Sequence, residues 1–138
     1  MEKHEIERRI AGSKAMHERG FNCAQCVALS CCDLVGLDET VAFRMLEGFG
    51  GGMADHTQTC GALSGAVAVV SYARSAGPQG PISKFATYEE IKLLVDMFRT
   101  QAGSTFCCEI RGLTGGPVLR SCEDCIADGI RMTIDEIA

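Results

Sequence analysis

The stretch Phe49–Gly65, FGGGMADHTQTCGALSG, constrains this chain more than any other. Glycine is used where backbone takes a positive φ or must come very close to another group. Gly50, Gly51 and Gly52, followed by Cys60-Gly61-Ala62 and Gly65, describe a turn that excludes bulk around a thiol. Cys60 then opens an apolar helix, about 60–76, with Thr57 or Thr59 as its cap. Gly61 and Gly65 lie four apart on one face, and small residues at that spacing let another helix backbone approach closely. This helix is expected to be the central, most buried one.

The rest of the chain reads as further helices around it. Ile6, Ile10 and Met16 sit at helical spacing in a charged first helix over 2–18, which Gly20 ends. Asn22 caps a second helix, 23–35, with Cys23, Cys26, Val27, Cys31 and Leu34 on one face and Gly36 as its stop. Asp38 caps a third, reaching about Glu47, with Val41, Met45 and Leu46 expected inward. After the loop GPQGPISKFA, Thr87-Tyr88-Glu89-Glu90 fits a capping box. It opens a helix over 88–102 with the stripe Ile91, Leu94, Val95, Phe98 and Ala102. A short turn carries Cys107 and Cys108, and Ser121 caps a last helix with Cys122, Cys125, Ile126, Ile130, Ile134 and Ile137 inward. No segment alternates as a strand would. The expected fold is an all-α bundle of about six helices in a single domain, residues 1–138.

Composition narrows the function. A net charge of −5 argues against a nucleic-acid partner, which would need a basic face. There is no apolar run long enough to cross a membrane, so no membrane insertion is expected. The charged start MEKHEIERRIAG lacks the apolar core of a secretory signal, so a cytoplasmic protein is expected. The nine cysteines stand out. Disulfide frameworks normally use an even count, and in a reducing compartment many cysteines read as metal ligands or redox thiols. Free cysteine also packs as a small hydrophobe, which is the plain alternative for each.

Two CxxC pairs, Cys23/Cys26 and Cys122/Cys125, begin at helix starts, where free N–H groups and the macrodipole stabilise thiolate. Cys60 has the same placement. Neither CxxC is followed by histidine, the two lie too far apart for a zinc finger, and no βαβ pattern surrounds them, which sets aside haem attachment and a thioredoxin-like fold. In the adjacent pairs Cys31-Cys32 and Cys107-Cys108, one member of each is expected to be structural. His56 and Glu109 lie near Cys60 and Cys107 and read as exposed loop residues, or else as a metal ligand or proton carrier. His4 and His17 read as solvent-facing.

The order Cys23, FGGG…CGALSG around Cys60, GSTFCCEIRG at Cys107, then Cys122 resembles the C_GCAxxG_C_C family of redox-active proteins, from Gly20 to Ile130. The resemblance implies four functional cysteines: Cys23, Cys60, Cys107 and Cys122. Cys107 is preferred to Cys108 because CCEI matches the family's C-[RK]-E-L. The resemblance also implies an iron–sulfur or electron-transfer association. Cys26, Cys31, Cys32, Cys108 and Cys125 are additional to the pattern, with Cys26, Cys108 and Cys125 as candidate extra ligands. The first expectation is a four-thiolate iron–sulfur site that exchanges electrons with a redox partner protein, an electron carrier or accessory protein rather than a stand-alone enzyme. Gly50, Gly51, Gly52 and Gly61 would leave room for the cluster. The alternatives are metal-free dithiol–disulfide exchange and a structural zinc site in an interaction module. A homodimer is compatible with the small-residue helix and odd thiols.

Overall fold

The computed structural model describes Met1–Ala138 and is all-α. We number the helices α1 Lys3–Glu18, α2 Cys23–Cys31, α3 Glu39–Leu46, α4 Gly61–Arg74, α5 Lys84–Ala102, α6 Cys107–Ile110 and α7 Cys122–Ile137. The only β pairing is an isolated bridge between Thr59 and Phe106.

As the glycine spacing predicts, α4 is the hub. It packs against α2, α7 and α5, while α1 closes over α2 and α7 and α3 lies on α2. A Cβ added at Gly65 would sit 2.5 Å from the Ala24 carbonyl oxygen, so the α2–α4 crossing depends on this glycine. Gly129 of α7 fits against the Ala62 carbonyl in the same way, at 3.0 Å. Around these crossings Val27, Leu63, Val69, Val70, Leu94, Phe98 and Ile130 make a fully closed core.

Three caps agree with the sequence reading. Asn22 and Gln25 form a reciprocal capping box at α2, Asp38 accepts from the Val41 N–H at 2.9 Å, and Ser121 accepts from the Asp124 N–H at 3.1 Å. Asn22 also donates to the Glu47 carbonyl at 2.8 Å, tying the start of α2 to the end of α3. Asn22→Ala should cost about 1 kcal/mol in urea unfolding through the lost cap.

Four local expectations are corrected. The second helix is regular only to Cys31 and tightens into a 3-10 turn over Cys32–Leu34. Neither Thr57 nor Thr59 caps α4; Cys60 itself holds the N-cap position, because Thr59 is engaged with Phe106. The fifth helix starts at Lys84, so Thr87 lies inside it, its N–H and hydroxyl both bonded to the Ser83 carbonyl. Glu90 is thereby freed to pair with Arg74, joining α5 to α4. In α3, Val41 and Met45 are 46% and 68% exposed, and Ala42 and Leu46 face inward instead. There the side chain of Gln25 reaches the Phe43 carbonyl at 3.0 Å and sets the helix face.

Candidate functional site: five thiols at converging helix starts

Five of the nine cysteines meet. Cys23, Cys60, Cys107, Cys122 and Cys125 line one small cavity, closed by Ile110 and Arg111. Cys23, Cys107 and Cys122 are the first residues of α2, α6 and α7, and Cys60 is the N-cap of α4. Cys125 lies one turn into α7.

Local backbone explains how chain segments far apart bring these sulfurs together. After Phe49 the chain takes left-handed turns at Gly51 (φ 59°) and Gly52 (φ 56°). A Cβ at Gly52 would come within 2.5 Å of Cys107 Cβ, and one at Gly61 within 3.3 Å of Cys23 Cβ. These two glycines make room for the cysteines themselves. Gly50 lies against the Asn22 side chain, and the Gly51 N–H points to the Cys23 sulfur. The loop is then stitched to the segment before α6: the Cys60 N–H donates to the Thr105 carbonyl at 2.8 Å, and the Cys107 N–H to the Gln58 carbonyl at 2.9 Å.

Within the cavity four of the thiols form two pairs. The neighbouring Cys122, then burial, push the Cys23 thiol well above the ordinary thiol range, and Cys23 in turn draws Cys122 down to about 6. Burial opposes the shift at Cys122, and the positive charge of Arg111 assists it. Cys60 and Cys125 act on each other likewise, Cys125 pushed up and Cys60 drawn down. The N–H groups of Ala62 and Leu63 at the start of α4 add to the effect at Cys60. At neutral pH Cys122 is therefore mostly thiolate, while Cys23 keeps its proton.

Cys107 is the fifth sulfur. Burial, then the Cys60 charge, raise its pKa, and Arg111 pulls the other way. His56 Nδ1 stands 3.5 Å from Cys107 Sγ and 3.3 Å from Arg111 Nη1. His56 is half-buried and holds a positive φ of 69°, a conformation rare for a residue with a side chain. Glu109 turns away from the sulfurs and accepts from Ser104 Oγ at 2.5 Å.

The other cysteines stand apart. Cys26, Cys31 and Cys32 are buried in the helical core, Cys26 against the Phe21 carbonyl at 3.7 Å and Cys32 against that of Leu29 at 3.6 Å. Burial pushes Cys26 up to about 11 and Cys31 to about 12, which leaves them as packing residues. Cys108 is not part of the cavity wall. The Cys23/Cys26 spacing therefore does not make a pair in space. His56, Arg111 and Ile110 complete the site; no spacing in the sequence marks the last two.

The donor set, all thiols, has the softness that iron–sulfur clusters use. The space does not suit one. The cavity between the sulfurs measures about 10 Å³, roughly the room for one water. No three His, Cys, Asp or Glu side chains are grouped to hold a metal ion. A separate apolar groove of about 450 Å³, lined by Met45, Phe49, Leu63 and Val67, touches this region through Thr59 and Thr105.

Fold and site together define a small all-α domain built around a cysteine centre. Residues 21–136 match the family described as "Putative redox-active protein (C_GCAxxG_C_C)", and the chain belongs to that family. No curated protein and no solved structure matches it. No helix is long and apolar enough to cross a membrane.

Proposed function

We propose that this protein is a thiol–disulfide redox protein in which Cys122 is the attacking thiolate and Cys23 the resolving thiol. The observation that carries the reading is that Cys23 and Cys122, the first residues of two helices, line the same cavity and are its half-buried sulfurs. An attacking thiol works best when its pKa lies near the ambient pH, because it is then ionised yet still nucleophilic. Cys122 sits at the N-terminus of a sixteen-residue helix, an environment that favours the thiolate. The Cys122 sulfur attacks a disulfide of the redox partner, forming a mixed disulfide and releasing one partner thiolate. Cys23 then loses its proton and attacks Cys122, closing a Cys23–Cys122 disulfide and releasing the second partner thiolate. The partner gains the two electrons that the pair loses.

A second reading is an iron–sulfur cluster held by Cys23, Cys60, Cys107 and Cys122 for electron transfer. Its support is the purely thiol donor set, and it requires the sulfurs to move apart from the closed cavity. One experiment separates the two: anaerobic purification with a visible spectrum, iron and zinc analysis, and thiol counting before and after mild oxidation. A colourless, metal-free protein that loses thiols reversibly is the expected result. A brown, iron-containing protein that loses its colour in Cys60→Ser would establish the second reading instead.

A further inference from the structure

We propose that Cys60 and Cys125 form a second, inner dithiol that is oxidised only through the outer Cys23–Cys122 pair, so that the centre is a relay holding four electrons. This inference rests on the thiol–disulfide reading and goes beyond it by giving the buried thiols a task. Three observations carry it. Cys125 draws the Cys60 thiol down in pKa, as Cys23 does that of Cys122, so each acts on the acidity of its neighbour across the cavity they line. All four sulfurs line the same cavity, with Cys122 and Cys125 one turn apart on α7, so the two pairs share a wall. The inner pair is closed off: Cys60 is 7% exposed and Cys125 1%, whereas Cys23 and Cys122 are half-buried.

The cavity itself reinforces the closure. At about 10 Å³ it admits nothing larger than a water molecule, so no external disulfide can reach the inner sulfurs by entering it. Their accessible oxidant is therefore the disulfide formed next to them. In the exchange, the Cys60 thiolate attacks the Cys122 sulfur of the Cys23–Cys122 disulfide. A Cys60–Cys122 bond forms and Cys23 leaves as a thiolate. Cys125 passes its proton to Cys23 and attacks Cys60, forming Cys60–Cys125 and releasing Cys122 as a thiolate. Two electrons and one proton have moved from the inner pair to the outer pair. The outer pair can then reduce a second disulfide. Cys107 belongs to neither pair and stays a thiol beside His56.

The test follows disulfide formation in the full-length reduced protein after mixing with oxidised glutathione. Samples are quenched in acid, alkylated and mapped by mass spectrometry. In the wild type, Cys23–Cys122 should form first and Cys60–Cys125 afterwards, giving two intramolecular disulfides per chain. In Cys122→Ser, checked for native circular dichroism, Cys60–Cys125 should form at least 100-fold more slowly. Formation of Cys60–Cys125 at the wild-type rate in that variant would overturn the relay. So would a wild-type end state with a single disulfide, or one in which Cys122 is joined to Cys125. If the variant does not fold, the order and number of bridges in the wild type decide the matter. A single Cys23–Cys122 bridge, or an inner pair that oxidises without Cys122, leaves the thiol–disulfide function standing; a Cys122–Cys125 bridge keeps that function but removes Cys23 as its resolving thiol, and if no thiol oxidises reversibly, both fall.

Discussion

Replacing Cys122 with serine is expected to slow the reaction of the reduced protein with a small disulfide by about 100-fold at pH 7, since the remaining cavity thiols are protonated or inaccessible. With a pKa of about 6, Cys122 is mostly thiolate at that pH. Cys23, Cys107 and Cys125 all have raised pKa values, and Cys60, though lowered, is only 7% exposed. The sign of the pH dependence follows. Below pH 6 Cys122 carries its proton and the wild-type rate falls; as pH rises through 6 the proton leaves, and the rate climbs to a plateau. In the variant this step near pH 6 should vanish. Stopped-flow release of the thiol from an aromatic disulfide measures both quantities. A wild-type profile that rises only in the alkaline range of an unperturbed thiol would contradict the assignment of Cys122.

The largest effect on stability is expected at the α2–α4 crossing. Gly65→Val would place its Cβ 2.5 Å from the Ala24 carbonyl oxygen, and that neighbour is backbone held in a helix, so it cannot swing aside. Overpacking of this kind costs about 3 kcal/mol, and for a chain of this size that lowers Tm by about 10 °C. The damage should also reach the site, because the two crossing helices carry Cys23 and Cys60 at their starts. Moving Cys23 away from Cys122 removes the influence that lowers the Cys122 pKa and should move its reaction midpoint upward from about pH 6. Gly12 is the natural contrast: it lies in α1 and an added Cβ meets nothing within 4 Å. Gly12→Ala should raise stability by up to about 1 kcal/mol, because alanine favours the helix and nothing obstructs it. Thermal unfolding followed by circular dichroism compares the two.

Local signals were reliable where one residue and its near neighbours settle the outcome. Asn22, Asp38 and Ser121 cap the helices their types predict, since a cap needs only a short polar side chain and N–H groups two or three residues on. The same signals misled where a distant segment competes for the group. Thr59 is drawn into the bridge with Phe106, and Glu90 is drawn to Arg74. In α3 the inward face follows the α2 side chain of Gln25, which periodicity within α3 does not report.

For the site, the sequence alone determined that Cys60 stands in a glycine setting at the start of the central helix, that Cys23 and Cys122 open helices, and that the chain carries the C_GCAxxG_C_C pattern. Those features depend on residue type and local spacing. Only the tertiary structure decided which thiols meet. The CxxC spacing groups Cys23 with Cys26 and Cys122 with Cys125, yet Cys26 faces the core while Cys23 lines one cavity with Cys60, Cys107, Cys122 and Cys125. Partners in sulfur chemistry are chosen by distance in space. Here that distance is fixed by glycine crossings between helices, with Gly65 against Ala24, Gly129 against Ala62 and Gly52 against Cys107.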